Sequence, residues 1–354
     1  MRSYKPRAIP CTNGQSDVDS FMQLNRLPHL PIELTSITPK EIKRVFPTPT
    51  LITIDGRHPE PLFLSILLHG NETTGFYVLQ DLARRFAGMP PPRSLMIFVG
   101  NVEATAAGLR RLDYQEDFNR IWAGGHGTPF DLARAVIDAA REAHPLASID
   151  IHNNTGTNPF YGCINTLQST NLQLAALFSR IAVYYRNPPT TQSMAFSQFC
   201  PAVTVECGRV GNAAGTERAI EFVNAVLHLD RLPDRMPHPS DLLLFETVGR
   251  VIVDENCSFS FEDDGADLIL RSDLEQKNFC GMAIGEEWGR SRYAQLPLTV
   301  LDEGGIDLTA SFFIRHDDSI RLRTPVTPAM ITRDRTIIRQ DCLGYLMAPL
   351  TLAT

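Results

Sequence analysis

The chain has 354 residues, 43% hydrophobic and 21% charged, which is long enough for about two domains and for a core without disulfide support. With 33 Lys and Arg against 40 Asp and Glu, the net charge of −7 offers no cationic surplus for a nucleic-acid backbone, and no run approaches the ~20 apolar residues of a membrane span. The seven cysteines (Cys11, Cys163, Cys200, Cys207, Cys257, Cys280 and Cys342) form no C-x-x-C pair, which argues against a zinc ribbon and for reduced thiols in a cytoplasmic protein.

Residues 1–45 read as an N-terminal extension. It carries Arg2, Lys5 and Arg7 but no apolar stretch behind them, so no secretory leader is expected. From residue 46 to 230, short apolar runs alternate with amphipathic helical patterns, the rhythm of a mostly parallel twisted sheet with helices on both faces. The first strand reads as Leu51–Ile54. Asp55-Gly56, followed by Pro59 and Pro61, predicts a turn into an antiparallel edge pair with the second strand, Leu62–Leu68.

That second strand runs into His69-Gly70-Asn71-Glu72, with an amphipathic helix over Thr74–Phe86 directly behind it. A strand–turn–helix corner can aim an imidazole and a carboxylate three positions apart at one point, two suitable ligands for zinc. The ordinary alternative is a partly buried His beside a Glu that favours the helix dipole. After a third strand, Leu95–Gly100, a long connection carries Arg110-Arg111 and then Asp117-Phe118-Asn119-Arg120. An Arg beside an Asn can hold a carboxylate by a bidentate fork plus an amide donor, although loop arginines are usually surface charge. His126, among glycines, reads as a solvated loop residue.

Pro129–Ala143 predicts another helix, and the strand Ser148–His152 follows it. There Asp150 and His152 share one face while Ile149 and Ile151 take the other. His152 at the strand end would complete a His₂Glu set with one coordination position left open, as in catalytic zinc sites; a core His bonded to Asp150 is the alternative. The strand Ala202–Cys207 is apolar until Glu206, a carboxylate costly to bury unpaired and suited to move a proton during hydrolysis, with a structural salt bridge as the alternative. Ile220, Val223 and Leu227 mark a further helix. Three prolines within residues 230–241 set a boundary, and from 242 to 354 short β-like runs (Val251–Val253, Leu268–Leu270, Ile306–Ile314, Thr336–Ile338) predict a small C-terminal β domain.

The ordered set His69-Gly70-Asn71-Glu72, Asp117-Phe118-Asn119-Arg120, Asp150-Ile151-His152-Asn153 and Val205-Glu206-Cys207-Gly208 resembles the zinc carboxypeptidase superfamily, in its succinylglutamate desuccinylase/aspartoacylase branch. The resemblance implies one zinc ion per chain held by His69, Glu72 and His152, Glu206 as general base and acid, and Asn119 with Arg120 gripping a substrate carboxylate. It further implies that Asp117 orients a ligand histidine, and that Arg111, with Arg110 as the alternative, polarises the scissile carbonyl. Where aspartoacylases carry an Arg before the catalytic Glu strand, this chain has Gln192. In the C-terminal domain, Tyr293 and Tyr345 are the candidates to reach the site.

The expected activity is therefore a zinc-dependent hydrolase cleaving the amide bond of a small N-acyl amino acid. A metallocarboxypeptidase acting on peptides with a free carboxylate, or a catalytically silent carboxylate-binding relative, stands as the alternative. Non-haem iron chemistry on the same ligands is a third class. The expected partners are small molecules, with neither nucleic acid nor membrane, and a homo-oligomer stays open. No G-x-S-x-G or G-x-x-x-x-G-K-[ST] pattern points to a serine hydrolase or a P-loop.

Overall fold

The computed structural model describes residues 23–293 and 295–352. Cys11 and the first part of the expected extension lie outside the described residues. In chain order the elements are strands β1 (Asn25–Leu27), β2 (Thr50–Ile54) and β3 (His58–Ile66), helix α1 (Thr74–Arg85), strand β4 (Arg93–Val99), helices α2 (Val102–Ala107) and α3 (Thr128–Ala143), and strands β5 (Ala147–His152) and β6 (Tyr161–Ile164). Helix α4 (Ser169–Phe178), strand β7 (Ile181–Tyr184), helix α5 (Gln192–Phe196), strand β8 (Ala202–Glu206), helix α6 (Ala213–Leu227) and strand β9 (Leu243–Val253) follow.

The sheet runs β1-β2-β4-β3-β5-β8-β6-β7-β9, and its centre, β4-β3-β5-β8, is wholly parallel. Period-2 alternation explains how both faces are covered. Leu62, Leu64 and Ile66 of β3 and Leu95, Ile97 and Val99 of β4 enter one core with residues of α1, α4 and α6. Phe63 of β3 and Met96 and Phe98 of β4 enter a second core with Leu132, Val136 and Ala140 of α3 and Phe196 of α5. On β5 and β8 the first face stays apolar, with Ile149, Ile151, Val203 and Val205. The second face turns polar toward the strands' carboxyl ends, with Asp150, His152, Thr204 and Glu206 all buried. That change of character places the site.

Three expectations need correction. The first two strands are not an edge pair: β2 is antiparallel to β4, which lies between β2 and β3. The Asp55-Gly56 link crosses the start of β4, where the Gly56 N–H donates to Ser94 Oγ at 2.9 Å and a Cβ would lie 2.2 Å from the Arg93 carbonyl carbon, so the chain cannot fold straight back. Residues 336–338 are helical, not extended. Asp334 caps that turn by accepting from the N–H groups of Thr336 and Ile337. Within residues 306–314, Asp307 makes only an isolated antiparallel bridge to Leu301, Thr309–Phe312 is a helical turn, and the strand itself begins at Phe313.

Beyond β9 the chain forms β10 (Phe259–Ser260), β11 (Leu268–Leu270), β12 (Glu287–Ser291), β13 (Leu298–Leu301), α7 (Thr309–Phe312), β14 (Phe313–His316), β15 (Ser319–Leu322), β16 (Thr327–Ala329), α8 (Arg335–Gln340) and β17 (Gly344–Pro349). Five of these strands make a second sheet, β10-β11-β12-β15-β14, over a core that includes Trp288 and Phe313. The segment is not simply appended, because β9 lies parallel to β7 and β17 returns antiparallel to β9, extending the first sheet. At the other end, β1 lies parallel to β2, and Leu34, Ile37, Ile42 and Phe46 are buried in the first core.

Candidate metal centre and substrate cavity

His69 lies three residues past β3, after Leu67, whose φ of 57° in the left-handed region turns the chain out of the strand. Gly70 seats the corner against α2: a Cβ there would stand 2.2 Å from Thr105 N and 2.3 Å from the Ala104 carbonyl carbon. Only glycine fits that approach. His152 and Glu206 end β5 and β8 as register partners and so emerge side by side.

One donor atom from each of His69, Glu72 and His152 lies within 4.8 Å of the others. The two Glu72 oxygens bridge the imidazoles, with His69 Nδ1 to Oε1 and His152 Nδ1 to Oε2 both 2.8 Å. Behind each ring stands another carboxylate: His69 Nε2 is 3.1 Å from Asp117 Oδ1, and His152 Nε2 is 2.8 Å from Asp150 Oδ2. A carboxylate accepts, so each Nε2–H points outward and each Nδ1 lone pair points inward to a common centre. The Asn153 N–H donates to Glu72 Oε2 at 2.9 Å, and its side-chain oxygen accepts from Thr74 N at 3.2 Å, which fastens the site to the start of α1. Burial alone would raise the Glu72 carboxyl, but the two imidazoles outweigh it and hold it well below the usual carboxylate range. Burial likewise opposes protonation of His152, yet Asp150 and Glu72 raise it well above its ordinary value.

A donor set of two imidazoles and one carboxylate, buried and backed by further carboxylates, fits a divalent ion with zinc's preferences. Removing a backing group without disturbing shape tests this: Asp150→Asn is expected to weaken zinc binding on the order of 10- to 100-fold, measured by competition with a chromophoric chelator.

Glu206 is 8% exposed, and its Oε2 is a buried oxygen with no hydrogen-bond partner. Burial pushes its carboxyl up to about 7, only partly opposed by His152. A carboxylate poised there can take up and release a proton near neutrality. Asn119 accepts the Gln192 N–H on Oδ1 at 2.9 Å, which fixes the amide so that Nδ2 faces His152 at 3.4 Å. Arg120 donates to the Asn119 carbonyl at 2.9 Å and lines the same cavity of about 180 Å³.

The structure thus gathers His69, Glu72, Asp117, Asn119, Arg120, His152 and Glu206, and it does not bring Arg111 among them. The Arg111 guanidinium is spent on the Gln115 carbonyl at 2.8 Å, whereas Arg110 reaches Asp117 Oδ2 at 3.1 Å and Glu72 Oε1 at 3.5 Å. Two adjacent loop arginines differ only in which way the turn throws them. Gln192 also points elsewhere, its amide donating to Ser148 Oγ at 3.0 Å, and its neighbour Thr191 faces the cavity. Tyr345 lines the cavity; Tyr293 is 43% exposed and does not line it. His126 is an exposed loop residue. The bond between Asp150 and His152 was expected only as the alternative to a metal site, and the structure shows it together with the donor set; the supporting contacts of Asn153 were missed from sequence.

Residues 61–231 match the family model described as the succinylglutamate desuccinylase/aspartoacylase catalytic domain. A stretch of 91 residues is 35% identical to a succinylglutamate desuccinylase of Burkholderia orbicola, and that match spans 24% of the relative's length. Among solved structures, the succinylglutamate desuccinylase of Chromobacterium violaceum superposes with a TM-score of 0.56 at 18% identity, over 84% of this chain and 87% of that one. Murine aminoacylase 3 gives 0.54 at 16% identity, over 83% and 96%. At these identities the superpositions speak for the fold, including the added C-terminal strands. Among the described residues, no helix is long and apolar enough to cross a membrane.

Proposed function

Because residues 61–231 fit the succinylglutamate desuccinylase/aspartoacylase branch of the zinc carboxypeptidase-like superfamily, we propose that this chain is a zinc-dependent hydrolase that removes the acyl group from a small N-acyl amino acid. The observation that carries the reading is the unpartnered buried Oε2 of Glu206 beside a His₂Glu set whose imidazoles are each backed by a carboxylate. When bound by His69, Glu72 and His152, zinc supplies a Lewis acid that polarises the amide carbonyl and acidifies water.

The remaining work falls to side chains. Glu206 takes the proton of the attacking water and delivers it to the departing amine nitrogen; a carboxyl that exchanges its proton near pH 7 suits both tasks. Arg110, at the rim beside Asp117, is the guanidinium available to the oxygen that gains negative charge, and such a donor is worth roughly 3–4 kcal/mol. Arg120 and the fixed Nδ2 of Asn119 hold the substrate carboxylate, which sets the scissile bond against Glu206.

A hydrolysis screen of zinc-loaded protein over acetyl, succinyl and formyl amino acids, with short peptides alongside, tests the reading. Cleavage of single acylated amino acids is expected, and cleavage of peptides alone would favour the carboxypeptidase alternative. Stripping the protein with a chelator is expected to abolish the activity, and zinc added back to restore it. Full activity in metal-free protein, or restoration by iron and not zinc, would contradict the assignment.

A further inference from the structure

Beyond Glu206 the polar face of the sheet continues onto β6 and β7. Asp150, Thr204, Cys163 and Val183 lie in one register row, and His152, Glu206 and Tyr161 in the next. Tyr161, Cys163, Val183, Tyr185, Thr204 and Met347 all line the cavity, and each is uncharged. Burial pushes the Cys163 thiol and the Tyr161 phenol up, well above their ordinary values, which keeps both neutral at pH 7. Tyr185 OH lies 3.0 Å from Thr191 Oγ1 and 3.1 Å from Ser193 Oγ, and Thr204 donates to Ser193 Oγ at 2.9 Å, whereas Tyr161 OH is buried without a partner, a neutral donor in the same wall. Val183, Met347 and Tyr161 belong to a small apolar cluster of their own.

Apart from Arg120, the cations around the cavity already face carboxylates, and Arg110 is also the one assigned to the oxygen that gains charge. Among the described lining residues they are Arg110, Arg120 and the two imidazoles. Arg110 pairs with Glu72 and Asp117, and each imidazole faces two carboxylates. That leaves Arg120, with Asn119, for one substrate carboxylate. A substrate held this way would have the β6–β7 face open to the side chain on the same carbon, since Asn119 is bonded to Gln192 N and its neighbour Thr191 lines the cavity together with that face. A second carboxylate there would meet the buried unpartnered oxygen of Glu206 without a counter-charge, an arrangement that is costly to bury.

We propose that the wall formed by β6, β7 and Met347 receives an uncharged side chain, so that the preferred substrates are N-acyl derivatives of neutral amino acids and not of aspartate or glutamate. This rests on the deacylase reading above and narrows it. Burying a carboxylate without a counter-charge is costly, and its discrimination is expected to reach at least the roughly 10- to 200-fold that a single methylene is worth in an apolar pocket. The kcat/KM of the zinc-loaded full chain is therefore expected to be about 100-fold higher on N-acetyl-L-methionine than on N-acetyl-L-aspartate or N-succinyl-L-glutamate.

Titration calorimetry of the same protein with free methionine and with free aspartate supplies a second readout. Preference for the methionine compounds in both measurements supports the proposal. Equal or better turnover of the acidic substrates overturns it while leaving the deacylase reading intact. If nothing is hydrolysed, the deacylase reading fails and calorimetry alone decides: tighter binding of methionine supports a neutral pocket, and tighter binding of aspartate, or of neither, overturns it.

Discussion

Glu206→Gln is expected to leave zinc binding intact, lower kcat by about 10³-fold, and make the metal-free protein more stable at pH 8. The first two effects follow from removing the proton carrier without touching a ligand. The third follows from burial. An unfolded chain releases the Glu206 proton near the ordinary value of 4.5, whereas the folded chain holds it up to about 7. Between those values the folded state binds more protons than the unfolded one, so stability falls as pH rises through that window.

Above pH 7 the full deficit, on the order of 3 kcal/mol, is present in the wild type and absent in the glutamine variant. Below pH 4.5 both forms carry a neutral side chain, and their melting temperatures should converge. Calorimetric melts of chelated protein at pH 4 and pH 8, run beside steady-state kinetics of the zinc form, measure both halves. Identical melts at pH 8 would mean that Glu206 is not a buried unpaired carboxylate, and unchanged kcat would mean that it moves no proton.

Gly70→Ala is expected to damage the metal site as severely as removing a ligand would. The added methyl would press on backbone atoms of α2, at Thr105 N and the Ala104 carbonyl carbon, which cannot rotate aside. Overpacking of this kind costs about 1–3 kcal/mol. The corner must instead move, and His69 and Glu72 move with it. A shift of about 1 Å is enough to cost on the order of 10²-fold in turnover, and zinc affinity should fall at least tenfold. Gly281→Ala is the control, because nothing lies within 4 Å of the position its methyl would take. Metal content after dialysis and thermal melts of the two variants distinguish a displaced site from general instability. Wild-type zinc retention by Gly70→Ala would show that the corner has slack.

The parallel centre of the sheet was legible because its strands announce themselves: β3, β4, β5 and β8 are apolar runs that each end in a polar residue or a turn. The gathering of His69, His152 and Glu206 at one rim could be read for the same reason. A histidine or glutamate at the end of a buried strand is out of character there, and three such ends, His69 after β3, His152 on β5 and Glu206 on β8, converge on a common rim. The sequence reading failed where a short segment's state depends on a distant partner. Strands β6 and β7 are four residues long and take their identity from the neighbours they pair with. The order β2-β4-β3 is set by the Gly56 crossing over Arg93 and Ser94, a contact between residues about 38 positions apart that local pattern cannot encode.

Arg110 and Arg111 show the limit most plainly. Composition and spacing treat them alike, and the difference is made by Gln115, whose backbone carbonyl takes up the second guanidinium and leaves the first for Glu72 and Asp117. At residues 336–338 the β-branched run suggested extension, and the capping aspartate two residues earlier outweighed it.

Met347 sits on a strand laid down only after some two hundred further residues have followed His152, the last of the three candidate donors, yet it lines the same chamber beside its register partner Thr247. During synthesis His69, Glu72 and His152 are therefore all in place in the chain long before the last part of the cavity's lining is made. A chain ending before β17 would leave Tyr161 and Val183 without Met347, their neighbour in the small apolar cluster, and so without the side of the chamber that the latest-made strand supplies.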